Sequence, residues 1–441
     1  MFSKKDLKAL LIPLLFEQLL VVLVGMMDTV MVASCGEASV SGVSLVDSIN
    51  VLLIQFLGAL ATGGSVVTSQ FLGHGDLPIA RASAKQLYYI SLLFSGVFAL
   101  VCLVFRAFLL STIFGSIEQE VMSAALGYFL MTALSFPFLA MYNASAALLR
   151  SMGMSRCTLS TSIIMNIVNI AGNAITIYGL GMGALGAGLA TLVSRAAASV
   201  YILRFLRENN SKIPFPNLLR YEHRPDLVGK ILSIGLPNGF ENSLFQLGKL
   251  MLVRMVASFG TASIAANAVG NTIATIQVLP GSAISLGMIT VVGQCVGAHR
   301  IDEARRYTWK LMRLSYLIMS ILNIIMLLMN PIICAPFHLT PETEHMARLV
   351  IIIHGVGSIF TWPLSFVFPN SLRAAGDTRF TMVVSSLSML IFRLGFGYIL
   401  AITCGMGLIG IWVAMQIDWR VRITCFLIRF HGHAWETKAL V

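Results

Sequence analysis

Five carboxylates stand inside long apolar runs of this 441-residue sequence: Glu17, Asp28, Asp47, Glu241 and Asp418. At the centre of a membrane helix an acid costs about 2.5–3.5 kcal/mol on insertion scales, so each needs a proton, a cation, a partner or water. Glu17 and Asp28 are eleven residues apart. Three helical turns place them nearly on one face and about 16 Å apart along the axis. Asp28 falls in the outer part of that run and Glu17 in the inner part.

Amides gather in the fifth run, where Asn166, Asn169 and Asn173 follow an i, i+3, i+7 spacing, and Thr191 adds a hydroxyl in the next. That spacing forms one stripe on a helix. Amide and hydroxyl oxygens beside a carboxylate hold either a protonated acid or a sodium ion. Asp28, Asn169, Asn173 and Thr191 are therefore the candidate ion site, with Asp28 as a possible sodium ligand. Adhesion between helices is the competing use of the same groups.

The seventh run carries a second polar stripe, Asn238, Asn242, Gln246 and Lys249, with Glu241 beside it and Pro237 opening it. Glu241, Asn242 and Gln246, with Glu17 as the first-half equivalent of Glu241, are the candidate substrate contacts. Lys249 either neutralises a carboxylate or lines a pathway. Asp418 lies near the inner end of the last run, where a snorkelled pair with Arg420 or Arg422 is expected. Tryptophan, methionine and phenylalanine are abundant, a soft aromatic surface suited to greasy cations, although most of it must face lipid.

The elements that position these residues follow from composition. Hydrophobic residues make up 57% and charged residues 11% of the chain, which is too few charges to coat a soluble body of this size. Soluble enzyme, disordered chain and fibre are excluded. Apolar stretches fall at 8–34, 40–71, 86–110, 122–148, 158–179, 185–206, 228–257, 263–293, 307–330, 345–370, 380–403 and 407–429, predicting twelve membrane helices. The net charge of +11 gathers in alternate connections, such as Lys4, Lys5 and Lys8, the linker with Arg207, Lys212, Arg220 and Arg224, and Arg300 to Arg313. Such a positive-inside bias predicts both termini in the cytoplasm and accounts for the basic charge without nucleic acid. The basic start followed by an apolar run resembles a secretory signal, but its length predicts a retained first helix. The seven cysteines form no C-x-x-C pair, and Gly73-His-Gly-Asp76 lacks the context of a phosphate loop. No cofactor is expected, so any work must draw on an ion gradient.

Residues 6–81 match residues 230–305 at a constant offset of 224. Pro13 and Glu17 fall on Pro237 and Glu241, and Val32-Ala-Ser-Cys-Gly-Glu-Ala-Ser39 falls on Val256-Ala-Ser-Phe-Gly-Thr-Ala-Ser263. Leu149-Arg-Ser-Met-Gly153 parallels Leu372-Arg-Ala-Ala-Gly376, and Gly181-Met-Gly-Ala-Leu-Gly186 parallels Gly405-Met-Gly-Leu-Ile-Gly410. The prediction is an all-α polytopic membrane protein with six-helix lobes at 1–206 and 228–441 and a cytoplasmic linker at 207–227. An even number of spans per copy relates the lobes by a pseudo-twofold along the membrane normal, a layout that supports alternating access at a midplane site.

Met27-Asp-Thr-Val-Met-Val32, Thr68-Ser-Gln-Phe-Leu-Gly73, Leu149-Arg-Ser-Met-Gly153, the run from Asn169 to Gly179 and Gln294-Cys-Val-Gly-Ala298, in that order, resemble the multidrug and toxic compound extrusion (MATE) family over essentially the whole chain. The resemblance implies a secondary active antiporter, not an enzyme, that exports organic cations or amphiphilic drugs in exchange for H+ or Na+. Asp28 looks like the first-helix acid of such transporters, and Asn169 and Thr191 match polar members of the same site. Where some proton-coupled members carry an acid, this sequence has Asn173. A monomer in a bacterial inner membrane, with lipid and a small amphiphilic or cationic substrate as its partners, is expected. The alternative reading is a flippase for a lipid-linked precursor, with Arg195, Lys249, Arg254 and Arg393 supplying a cationic groove.

Overall fold

The computed structural model describes residues 1–441 apart from Ser116, 209–212, Phe215, Leu219 and Tyr221, together with the side chain of Glu208. Lys212, one of the linker's basic residues, therefore lies outside the described residues. Helices α1 (Lys4–Ala33), α2 (Glu37–His74), α3 (Leu77–Phe114), α4 (Gln119–Ser151), α5 (Ser155–Asn173) and α6 (Gly183–Glu208) precede the linker. After it come α7 (Pro225–Ala257), α8 (Thr261–Gly297), α9 (Ile301–Leu328), α10 (Pro341–Phe360), α11 (Thr378–Ser388) and α12 (Gly407–His431). Stretches of π-helix extend α5 over Ala174–Gly179 and α11 over Met389–Gly395 and Ile399–Thr403.

Among the described residues, nine of these helical segments are long and apolar enough to cross a membrane, and α10 with its continuation over Pro363–Ala374 makes a tenth, bent by 62°. Pro363 opens that continuation, where a missing N–H frees a carbonyl of the preceding turn. Helices α7 and α12 are long enough, at 33 and 25 residues, but Glu241 and Lys249 in one and Asp418, Arg420 and Arg422 in the other lower their apolarity. The twelve expected spans are thus all helical.

Burial follows the logic of a protein whose solvent is lipid. Phe108 is 64% and Leu328 77% exposed, whereas Thr68, Ser69 and Gln70 are fully enclosed. Helix starts are fixed by local chemistry. Ser3 and Asp6 form a capping box on α1, the Asp6 N–H donating to Ser3 Oγ at 3.1 Å and the Ser3 N–H to Asp6 Oδ2 at 2.8 Å.

Contacts divide the chain into two compact units, Phe2–Gly239 and Phe240–Val441. In the first, α4 packs on α2, α3 and α6, and α1 lies along α5. In the second, α8 packs on α9 and α10, while α12 packs on α10, α11 and the π stretches after α11. A Cβ on Gly410 would stand 2.8 Å from the Ala401 backbone nitrogen, so only glycine lets α12 approach that chain so closely. The linker belongs to the first unit: Lys85 Nζ donates to Glu222 Oε2 at 3.1 Å and Gln86 Nε2 to the Glu222 carbonyl at 2.6 Å. The Lys85 ammonium holds the Glu222 carboxyl below the usual glutamate range.

The sequence repeat reappears in the backbone. Gly36 and Gly260 share φ values of 92° and 90°, and the Gly-Met-Gly turns share 64° and 56° at Gly181 and Gly183 with 69° and 54° at Gly405 and Gly407.

Candidate functional site

Each of the five membrane acids has a distinct environment. Glu17 is buried and holds Arg150 Nη1 at 3.0 Å on one oxygen and Thr158 Oγ1 at 2.8 Å on the other. Glu241, equally buried, pairs with Arg373 Nη2 at 2.6 Å, and Arg373 also reaches Asn370 Oδ1 at 3.0 Å. These two pairs are the same pair twice, because Arg150 and Arg373 occupy the matching Leu-Arg-x-x-Gly turns. Glu17 and Glu241, expected as substrate contacts, are each held by an arginine, at equivalent places in the two halves.

Asp418 is fully buried between Arg422 Nε at 2.9 Å and Arg393 Nε at 3.2 Å, and it also accepts from Ser388 Oγ. Arg422 was one expected partner. The other is Arg393 of α11 rather than Arg420, and the pair is enclosed rather than snorkelled.

Asp28 and Asp47 differ in kind, since no salt bridge reaches either among the described residues. Asn173 Nδ2 donates to Asp28 Oδ1 at 2.8 Å. Asn169, with its amide nitrogen turned to the acid, donates to the same oxygen at 2.7 Å and lies 3.3 Å from Oδ2. An amide oxygen in that place would instead accept a proton from a neutral Asp28, so the Asn169 amide suits either protonation state by turning over. The Oδ1 of Asn173 and the Nδ2 of Asn166 are buried without hydrogen-bond partners. A carboxylate met by two amides and no cationic side chain in salt-bridge contact is a group whose charge a proton or a hard monovalent cation satisfies. Among the described residues no three His, Cys, Asp or Glu side chains gather as a metal site.

The stripe of α5 thus delivers Asn169 and Asn173 to Asp28, with the π stretch beginning immediately after Asn173. The Thr191 hydroxyl donates to the Ala187 carbonyl at 3.0 Å, inside its own helix, and among the described residues no hydrogen bond joins it to Asp28. Unanticipated neighbours are Tyr128, which donates to Asp47 Oδ1 at 3.0 Å, and Arg195, which donates to Ser135 Oγ at 2.7 Å while its charge acts on both Asp28 and Asp47. Asp47 in turn acts on Asp28. No helical spacing connects α2, α4 and α6, so only the assembled fold reveals this network.

The second unit holds a cavity of about 490 Å³. Helix α7 contributes Phe245, Lys249, Leu252, Val253 and Val256 to its wall, but neither Asn242 nor Gln246. Those two expected substrate contacts lie off the cavity. His354, Trp412 and Trp419 line it, and His354 is tied by Nδ1 to Gln277 Oε1 at 2.6 Å and edges against both indoles.

A double-mutant cycle tests the repeated clamp. Glu17→Gln should destabilise the protein by about 3 kcal/mol because it breaks a largely buried ion pair, and Glu17→Met with Arg150→Met should recover much of the loss. Thermal unfolding in one detergent checks this, and additive losses would show that the two side chains do not act as a pair.

Two homologous helical halves, one with an unpaired acid among amides and one with an aromatic cavity, define a polytopic membrane protein of duplicated design. The chain belongs to the MatE family, a family of transporters rather than enzymes, whose profile matches residues 13–175 and again 237–399. It is 27% identical to the uncharacterized transporter YisQ of Bacillus subtilis (strain 168), covering 97% of this chain and 94% of that protein. To the probable multidrug resistance protein NorM of Thermotoga maritima it is 26% identical, over 99% of this chain and 94% of that one. Its fold is similar to the outward-facing conformation of a multidrug resistance MATE family transporter of the MOP superfamily, with a TM-score of 0.90 at 19% identity, covering 97% of this chain and 96% of that chain.

Proposed function

We propose that this protein is a secondary active antiporter that exports a small amphiphile in exchange for H+ or Na+ by alternating access of lobes at 1–206 and 228–441. The proposal includes a plasma membrane location with both termini in the cytoplasm. The observation that carries it is the sorting of the acids. Glu17, Glu241 and Asp418 are consumed by arginines, whereas among the described residues Asp28 is hydrogen-bonded by amides and held in no ion pair, so it can change its occupant. An ionised carboxylate in a low-dielectric site is costly, so Asp28 favours a proton or a sodium ion over vacancy. Its release on the far side of the membrane supplies part of the work of reorienting the lobes.

The cavity volume, about 490 Å³, falls in the range of roughly 300–1,000 Å³ typical of small-molecule sites, which favours an amphiphile over a lipid-linked precursor. The deciding experiment is efflux from proteoliposomes under separately imposed pH and sodium gradients, read with one cationic and one anionic aromatic dye. Gradient-dependent efflux of either dye, coupled to one of the two ions, is the expected result. Equal loss of dye from liposomes with and without protein under both gradients would refute it.

A further inference from the structure

The second unit carries an excess of positive charge. Lys249, Arg393 and Arg422 surround one phenylalanine, their charges 5.3, 5.1 and 5.4 Å from the Phe245 ring centroid. Asp418 is the single carboxylate among them, and it is spent on the two arginines. Lys249 has no ion-pair partner among the described residues, and the cavity that it shares with Arg393 is lined by no acid. The cation–π contacts soften this imbalance without cancelling it, since a ring offers a quadrupole and no charge.

Hydrogen-bonding capacity points the same way. Lys249 carries three donors and no acceptor. A ligand that completes this wall must therefore accept hydrogen bonds and carry negative charge, and its body must suit Trp362, Phe366, Trp412 and Trp419. Stacked and edge-on rings of that kind take flat aromatic groups.

We infer that the cavity of the second unit binds an aromatic anion, a carboxylate or sulfonate whose head is held by Lys249 and Arg393 and whose ring lies among the tryptophans. This rests on the export reading for its purpose but not for its test, and it replaces the organic cation expected from the sequence with an anionic or zwitterionic amphiphile. The internal contrast supports it. The half containing Asp28 sets the amides of Asn169 and Asn173 beside its acid, whereas this half sets Lys249 and Arg393 in its cavity.

Calorimetry on the full chain in nanodiscs, with 2-naphthoate and 2-naphthylmethylammonium as matched probes, decides the matter. Naphthoate is expected to bind at least tenfold more tightly than the ammonium, to quench tryptophan fluorescence, and to weaken at least tenfold in Lys249→Met but less than threefold in Lys249→Arg. Equal affinities, preference for the ammonium, or unchanged naphthoate binding in a well-folded Lys249→Met would overturn the inference. Selective naphthoate binding without gradient-driven efflux would leave the inference standing and remove the transport reading; coupled efflux of a cation without naphthoate binding would do the reverse.

Discussion

Efflux driven by an ion gradient is expected to fall by at least about tenfold in Asp28→Asn, with the melting temperature nearly unchanged. Asparagine keeps the size of the side chain and an oxygen for the Asn173 amide, which donates at 2.8 Å in the native site. What it loses is the ability to take and release a cation. Moving two conformations from 1:99 to 99:1 needs about 5.5 kcal/mol of differential binding, and a site that no longer changes charge withdraws its share. If the amides serve only helix adhesion, Asp28→Asn transports normally, because adhesion needs hydrogen bonds rather than charge. Wild-type efflux at equal protein content in proteoliposomes would therefore remove Asp28 from the coupling mechanism.

Asp418→Ala should be the most damaging single substitution for stability. It leaves two guanidinium groups, at 5% and 2% side-chain exposure, with no counter-charge. Breaking a buried pair by removing one partner costs about 3–5 kcal/mol, and here one carboxylate serves two arginines. The loss should appear as a lower melting temperature and a smaller monodisperse fraction on gel filtration. Asp418→Leu combined with Arg422→Met should regain part of it, whereas a wild-type melting temperature for Asp418→Ala would show that the cluster finds compensation elsewhere.

Much of this was legible before folding, but unevenly. The acids announce themselves because charge inside a 20-residue apolar run is conspicuous, and the period of α5 places Asn169 and Asn173 on one face. Partners were harder to read. Glu17 and Asp28 share a face of α1 at helical spacing, yet one meets Arg150, 133 residues away, and the other meets Asn173, 145 residues away. A signal for the clamps did exist: a glutamate and an arginine, Glu17 with Arg150 and Glu241 with Arg373, recur at matched places in both halves of the chain. For Asp418 the expected partner Arg422, one turn along its own helix, is there, but the second, Arg393, comes from the π stretch after α11 and has no signal in local spacing. The Thr191 hydroxyl bonds within its own helix because a membrane helix offers every threonine a carbonyl four residues back. The cavity was nearly invisible, since five tryptophans and many phenylalanines are ordinary in a lipid-facing chain until a fold decides which of them face inward.

The shared left-handed turns make each half an experimental standard for the other. Alanine at Gly181 or Gly405 meets the same backbone penalty, about 1–2 kcal/mol for a side chain at positive φ. Any difference between those two substitutions therefore measures what the surrounding half does with the turn rather than the turn itself. Few chains carry their own calibration in this way.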